Sequence, residues 1–233
     1  IYLSRDKDPQ SDYTLYAEAI GVSGNNTLVS PLGPLEGVSS TMEVTIANSA
    51  SNLPVGISLL GRVIDANGKA IDGMPQPLCQ HTTAIYQSSP DPMKRLPINK
   101  PLITGIRAID GLLTLGLGQR LGIFATAGVG KSTLLGMLAK NTEADINVII
   151  LVGERGREVN EFIADNLGPS GLKKSIIIVA TSDRPAMERA RAAYAGHAIA
   201  EHFRNQGKRV LLLMDSITRY TRALRDIGLA LGE

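Results

Sequence analysis

Apolar runs of strand length alternate with longer amphipathic segments in the second half of the chain. The strand candidates are residues 120–124, 147–152, 175–180 and 209–214, and the helix candidates are 132–140, 156–166 and 186–206. This alternation is typical of βαβ units that build a parallel sheet. We therefore predict an α/β fold from about residue 102 onward, with ligand sites at the carboxyl ends of the strands.

The first part of the chain has a different pattern. Short segments such as Met42–Ile46 alternate apolar with polar residues, and turn signals such as Asn67-Gly68 separate them. Six of the twelve prolines then fall within residues 74–101 and exclude a helix or a central strand there. The predicted organisation is a small N-terminal β-barrel or β-sandwich domain (1–73), a proline-rich connector (74–101) and an α/β core (102–233).

Composition restricts the function classes without selecting one. Hydrophobic residues make up 43% of the 233 residues, enough for a packed core. The formal net charge is +2 and no block of like charge stands out, so the charge pattern does not favour a nucleic-acid or lipid partner. The single cysteine, Cys79, fits a reducing compartment. No apolar run approaches the ~18 residues that a membrane-spanning helix needs.

The stretch Ala125–Thr133 (Ala-Thr-Ala-Gly-Val-Gly-Lys-Ser-Thr) carries the most specific chemistry. An apolar run precedes it and a helix-like run follows it, which is the context of a phosphate-binding loop. In such a loop, backbone N–H groups bind the anion, Lys131 contacts the β- and γ-phosphates, and the Ser132 hydroxyl binds Mg²⁺. The candidate nucleotide-binding residues are Ala127, Gly128, Val129, Gly130, Lys131, Ser132 and Thr133.

Ala125 replaces the first glycine of the usual loop motif. Because alanine disfavours positive φ, we expect an extended conformation there, with Gly128 and Gly130 in the left-handed turns. The alternative is a glycine-rich turn that binds nothing. The adjacent Lys131 and Ser132, together with the flanking elements, favour phosphate binding.

Two carboxylates are candidates for chemistry at this loop. Asp215 ends a buried-type strand and would orient Mg²⁺ through water, although taken alone it could equally cap the following helix. Glu154 follows the strand 147–152 and would polarise an attacking water. The adjacent Arg155 would stabilise the negative charge that develops on the γ-phosphate during the reaction. The alternative for Glu154 is a favourable charge at a helix start, which is the role that we assign to Glu158.

Four ordered motifs resemble the type III secretion ATPase, a rotary-ATPase relative that drives protein export through injectisomes and flagella. The motifs are Gly122–Leu135, Gly153–Val159, Ala180–Pro185 and Val210–Tyr220. Upstream segments at 60–65, 71–73 and 104–110 extend the resemblance over most of the chain. Ser182–Pro185 resembles injectisome members more than flagellar ones.

The resemblance implies a fold, an activity and site residues. The family has an N-terminal β-barrel, a RecA-like P-loop core and normally a C-terminal helical domain, and it hydrolyses ATP with Mg²⁺ as a homohexamer. Glu154 would position the attacking water, and Arg155 and Arg219 match arginines near the catalytic centre, although on spacing alone either could be a surface charge. The matching positions are Glu154, Lys131, Arg155 and Arg219 for catalysis, and Ser132 and Asp215 for the metal.

Partners and location are also implied by the resemblance. The full-length protein would act in the cytoplasm, peripherally at the cytoplasmic face of the bacterial inner membrane. Its partners would be the stalk, regulator and export-gate proteins, and the effector–chaperone complexes that it detaches and unfolds. The chain begins at Ile1 rather than Met and ends at Glu233 in a helical pattern. We therefore expect an excerpt with a partial N-terminal β-barrel that lacks its first strands, without the arginine finger, the adenine contacts and the helical domain, and with poor activity alone.

Two other function classes remain open. A non-catalytic nucleotide-binding subunit of another rotary ATPase would share the loop, but its base position is typically not Glu, and Glu154 argues against it. A ring-shaped RNA translocase of the same superfamily would need stacking aromatics among basic residues in its N-terminal domain. Tyr2, Tyr13 and Tyr16 have little positive charge among them. Stimulation of hydrolysis by RNA or by effector–chaperone complexes would separate these classes.

Overall fold

The N-terminal part of the chain contains an antiparallel sheet. A computed structural model describes residues 2–4, 14–36, 38–39, 42–46, 52–126 and 128–232. The sheet has the order β3-β2-β1-β4, and its strands are β1 (Tyr2–Ser4), β2 (Thr14–Ser23), β3 (Asn26–Pro31) and β4 (Glu43–Thr45). The period-two alternation that predicted strands here is confirmed at β2, where the buried Leu15 and Ala17 alternate with the exposed Thr14 and Tyr16. Tyr13 lies outside the described residues.

Several short elements follow this sheet along the chain. They are β5 (Asn52–Val55), a 3₁₀ helix (Ile57–Leu59), β6 (Val63–Ile64), β7 (His81–Ala84), a second 3₁₀ helix (Pro92–Lys94), β8 (Pro101–Leu102), α1 (Arg107–Leu112) and β9 (Leu115–Gly116). β5 pairs with β7 and β8 pairs with β9, each as a two-stranded antiparallel ladder. As the prolines predicted, residues 74–101 contain neither an α-helix nor a central strand.

A four-stranded parallel sheet organises the second half of the chain. The remaining strands and helices are α2 (Lys131–Asn141), β10 (Ile146–Val152), α3 (Gly156–Glu161), a π-helix (Phe162–Leu167), α4 (Gly168–Lys173), β11 (Ser175–Ala180), α5 (Ala186–Asn205), β12 (Val210–Asp215) and α6 (Ile217–Leu231). The sheet order is β12-β10-β11-β6, and every pairing is parallel. The predicted α/β class is therefore confirmed.

Both faces of the parallel sheet are covered, which explains why β10 and β11 are buried along their whole length. On one face, Ile150 and Ile178 pack with Ile199 and Phe203 of α5. On the other face, α2 and the π-helix contribute the buried side chains Leu135, Ala139, Phe162 and Leu167. None of the helices in the described part of the chain combines the length and the apolar character that crossing a bilayer requires.

The prediction of a strand at residues 120–124 is wrong. The structure assigns no strand between residues 117 and 126, and Phe124 is 95% exposed. A short run that contains a glycine, here Gly122, keeps a strand conformation only when a neighbouring strand supplies ladder hydrogen bonds. Among the described residues, β10 is the only strand that pairs with β12. Hydrophobic periodicity does not report whether such a partner is present.

The helix predicted at 156–166 is confirmed as helical but is not uniform. Its first part is α3, and its second part is the π-helix Phe162–Leu167.

The domain limits remain a prediction. β6 lies within the range assigned to the N-terminal domain, yet Val63 and Ile64 pair with Ile177 and Ile178 of β11.

Candidate functional site

The carboxyl ends of β10 and β12 bring three of the predicted site residues together. Asp215 ends β12 and pairs in register with Leu151 of β10, so Glu154 follows at the same edge of the sheet. Lys131, the first residue of α2, forms an ion pair with Asp215 through its Nζ atom. The Asp215 side chain is 7% exposed and the Lys131 side chain 31%. A lysine and a carboxylate from distant parts of the chain therefore meet at this edge of the sheet.

The glycines of the loop have the conformations expected from the sequence. The φ angle is 82° at Gly128 and 91° at Gly130, both in the left-handed region that favours glycine. No atom lies within 4 Å of a Cβ built at either position, so the backbone conformation and not crowding requires glycine. Gly130 is the N-cap of α2, and Ser132 and Thr133 are exposed in its first turn. Ala127 lies outside the described residues.

Glu154 lies between groups that have opposite effects on its proton. Arg219 Nη1 is 2.5 Å from Glu154 Oε2 and also donates to the carbonyl oxygen of Gly153 at 2.8 Å. Burial, together with a hydrogen bond to the Glu158 carboxyl, raises the pKa of Glu154 to about 7, although Arg219 lowers it. Near neutral pH, the carboxyl is thus divided between its acid and base forms, and the base form can accept a proton.

Glu158 has a second contact that the sequence analysis missed. Its Oε2 accepts a hydrogen bond from the backbone N–H of Arg155 at 3.2 Å, which is the helix-start role predicted for it. In addition, the hydrogen bond with Glu154 holds the pKa of Glu158 below its usual value. The four-residue spacing of the two glutamates was the available signal. It was ambiguous because Glu154 lies before α3 begins, where helical spacing does not apply.

The two candidate arginines have different surroundings. Arg219 lies in the first turn of α6 against Gly153, where φ is 70° and a Cβ would meet Arg219 Cδ at 2.9 Å. Both the backbone conformation and the close approach therefore require glycine at this position. Arg155 is exposed at the N-terminal end of α3. The structure thus brings Arg219 to Glu154, and it leaves the Arg155 side chain at the surface.

The donor set at this edge fits a phosphate group together with a hard divalent cation. Lys131 supplies a mobile positive charge, and the Ser132 hydroxyl and Asp215 carboxylate are oxygen ligands of the kind that Mg²⁺ prefers. In the part of the chain that the structure describes, no group of three or more His, Cys, Asp or Glu side chains could hold a metal ion. A magnesium ion here would therefore take its other ligands from phosphate and water, as is usual for it.

Comparison with known proteins agrees with these observations. Residues 105–233 match the family model described as "ATP synthase alpha/beta family, nucleotide-binding domain". The type 3 secretion system ATPase of Xanthomonas euvesicatoria is 54% identical over 96% of this chain and 51% of its own length. The flagellum-specific ATP synthase of Treponema pallidum is 51% identical over 94% of this chain and 49% of its own length. The chain spans about half the length of these curated relatives.

A solved structure of the assembled ATPase EscN, from the enteropathogenic E. coli type III secretion system, matches with a TM-score of 0.89 and 46% identity. That match covers 100% of this chain and 55% of the EscN chain. EscN in complex with its central stalk EscO matches with a TM-score of 0.88. The predicted RecA-like fold and the resemblance seen in the four motifs are thereby confirmed. Since the family model matches more than half of the residues of this chain, the chain belongs to the ATP synthase alpha/beta family.

Proposed function

We propose that the full-length protein hydrolyses ATP and thereby powers protein export through a bacterial type III secretion system. The observation that carries this proposal is the meeting of Lys131, Asp215 and Glu154 at one edge of the parallel sheet. The similarity to proteins named type 3 secretion system ATPase and flagellum-specific ATP synthase supports the export role.

Nucleotide binding would begin at the start of α2. Its free backbone N–H groups and the Lys131 ammonium are suited to bind the terminal phosphates. Because Lys131 pairs with Asp215, phosphate binding exchanges that ion pair for a lysine–phosphate contact and releases the carboxylate. Ser132 and Asp215 would then hold Mg²⁺, Asp215 through water. A bound Mg²⁺ neutralises charge on the phosphate oxygens.

Glu154 is the proposed base. A carboxyl with a pKa of about 7 can accept a proton from water at neutral pH. Its position two residues beyond β10, at the sheet edge where Asp215 ends β12, supports this role. Arg219 orients the carboxylate through the ion pair and through its hydrogen bond to the Gly153 carbonyl oxygen. We retain Arg155 as a candidate for stabilising negative charge on the transferred phosphate, since it is exposed at the start of α3, next to Glu154.

We further propose that the full-length protein forms homohexamers with nucleotide between neighbouring subunits. It would act in the cytoplasm, peripherally at the inner membrane, with stalk, regulator and export-gate proteins and with effector–chaperone complexes. Support comes from the solved relatives, which are described as assembled EscN and as EscN in complex with its central stalk EscO.

Hydrolysis of ATP by the full-length protein, measured with and without added partners, tests the proposal. Stimulation by effector–chaperone complexes but not by RNA is the expected result. Stimulation by RNA alone would favour the ring-shaped translocase instead. Nucleotide binding without hydrolysis under any condition would favour a non-catalytic subunit, and the proposed function would then be wrong.

A further inference from the structure

A glycine in the middle of α2 lies directly against the backbone of the π-helix. A Cβ at Gly136 would meet the carbonyl oxygen of Asn166 at 2.5 Å, and its carbonyl carbon and Cβ at 2.8 Å. The φ of Gly136 is outside the left-handed region, so the close approach and not the backbone conformation requires glycine here. Glycine in a helix interior costs up to about 1 kcal/mol relative to alanine, and this contact is a physical reason for tolerating it.

The segment that contacts Gly136 has uncommon geometry. Phe162–Leu167 is π-helical and joins α3 to α4. Such segments are rare and occur mostly as single turns within helices, frequently at functional sites. Phe162 and Leu167 are buried in the same cluster as Leu135 of α2. The π-helix is therefore fixed to the sheet by its apolar side chains while its backbone touches α2.

Buried hydrogen bonds fix the C-terminal half of α2 to the same unit. Asn147 of β10 donates through Nδ2 to the Ala139 carbonyl oxygen at 2.7 Å and to Ser175 Oγ at 3.2 Å. Ser175 Oγ donates in turn to the Gly171 carbonyl oxygen of α4 at 2.6 Å. Because these groups are buried, a shift of α2 relative to α4 would leave polar atoms without partners.

Each side of the Gly136 contact leads to a site residue. Lys131 begins α2, about one and a half turns before Gly136, and Glu154 precedes α3, which continues into the π-helix. We propose that Gly136 and Phe162–Leu167 form a spacer that sets the separation between Lys131 and Glu154. This proposal rests on the ATPase function proposed above. Gly136 and Asn166 are positioning residues, since neither belongs to the loop or to the acidic pair.

The physical consequence follows from which atoms a side chain at position 136 would meet. Backbone atoms cannot rotate away as a flexible side chain can, so a methyl group there would push α2 and the π-helix apart. The contacts proposed for the phosphates themselves come from the start of α2, so phosphate binding would persist. In-line attack depends on both elements, and a displacement of about 1 Å can reduce a rate by about 10²-fold.

Gly136→Ala in the full-length protein tests the spacer. The expected result is a loss of roughly tenfold or more in kcat, with ATP affinity within about twofold of normal. Gly111→Ala is the matched control, because Gly111 lies in α1 and a Cβ there would meet no atom within 4 Å. A normal kcat for folded Gly136→Ala would overturn the proposal.

The same substitution in a Glu154→Gln background distinguishes positioning from a general structural effect. If Gly136 acts by placing Glu154, Gly136→Ala lowers the rate of the otherwise normal protein but adds no further loss to Glu154→Gln. If Gly136→Ala lowered kcat by the same factor in both backgrounds, the spacer proposal would be overturned but the role of Glu154 would not. A normal rate for Glu154→Gln by itself would overturn the role of Glu154, and the spacer with it.

If Gly136→Ala does not fold, Asn166→Gly tests the same contact by changing the residue on the π-helix. It removes the Cβ that faces Gly136 and loosens the π-helix without adding an atom. We expect kcat to fall several-fold with ATP affinity retained, whereas Asn166→Ala, which keeps the Cβ, behaves as the normal protein. Thermal unfolding verifies that each variant is folded. Full activity of Asn166→Gly would overturn the proposal.

Discussion

Arg219 and Glu154 form an ion pair of 2.5 Å, and yet the pKa of Glu154 is raised to about 7. Burial and the hydrogen bond with Glu158 outweigh the effect of the arginine. Arg219 therefore orients the carboxyl without locking it in the ionised form. A group in this balance is suited to exchange a proton near neutral pH, and several measurements can test that conclusion.

Lys131→Ala should weaken ATP binding by roughly tenfold to a hundredfold, because a charged hydrogen bond to phosphate is lost. Calorimetric titration of the full-length protein with Mg²⁺-ATP measures the change. Lys140→Ala, in the last turn of the same helix, is the control and should bind normally. Equal affinity of Lys131→Ala and the control would contradict the assignment of the loop.

Glu154→Gln should retain ATP but slow its hydrolysis by about 10²–10⁴-fold, since an amide can hold water but cannot accept its proton. Single-turnover kinetics on the full-length protein separate this effect from binding. Glu158→Gln is the comparison and should have a mild effect at pH 8. Near-normal turnover of Glu154→Gln would show that this residue is only a charge at the start of α3.

The rate of hydrolysis should increase as the pH rises through about 7, because the base form of Glu154 accumulates there. Glu158→Gln removes a contact that raises this pKa, so the midpoint of the kcat profile should move to lower pH. Arg219→Ala removes a group that lowers the pKa, so the midpoint should move to higher pH. Shifts in the opposite directions would contradict the proposed balance.

The free energy of unfolding should decrease as the pH rises from about 4.5 to about 7. Burial raises the pKa of Glu154 to about 7 and that of Glu188 to about 6, so the folded protein binds more protons than the unfolded chain in this range. Glu188 lies in the first turn of α5 and pairs with Arg184 at 3.8 Å. Urea unfolding at several pH values should show a weaker decrease between 4.5 and 6 for Glu188→Gln. An unchanged slope would contradict the buried, proton-linked state of Glu188.

Part of the structure could be predicted from the sequence because burial leaves a repeating pattern. β10 and β11 are covered on both faces and therefore appear as continuous apolar runs. The glycines at 128 and 130 were predicted correctly, since their φ angles depend on local geometry alone.

Other features depend on contacts that no local pattern encodes. The apolar residues of Phe162–Leu167 predict a helix but do not distinguish a π-helix from an α-helix, and the approach of Asn166 to Gly136 joins residues 30 positions apart. The contact between Glu154 and Glu158 depends on how the chain turns between β10 and α3. Likewise, the segment 120–124 has a strand-like composition, but its conformation depends on a pairing partner.

The pairing of β6 with β11 has a consequence for folding. Val63 and Ile64 must return to Ile177 and Ile178 across the whole connector and phosphate loop before this edge of the sheet can close. Closing so long a loop lowers the conformational entropy of the chain before the contacts between β6 and β11 can compensate, and this slows folding. Until it closes, the edge of β11 presents unpaired backbone groups to other chains. A nascent chain would therefore be most prone to intermolecular strand pairing in the interval between the synthesis of β11 and the docking of β6.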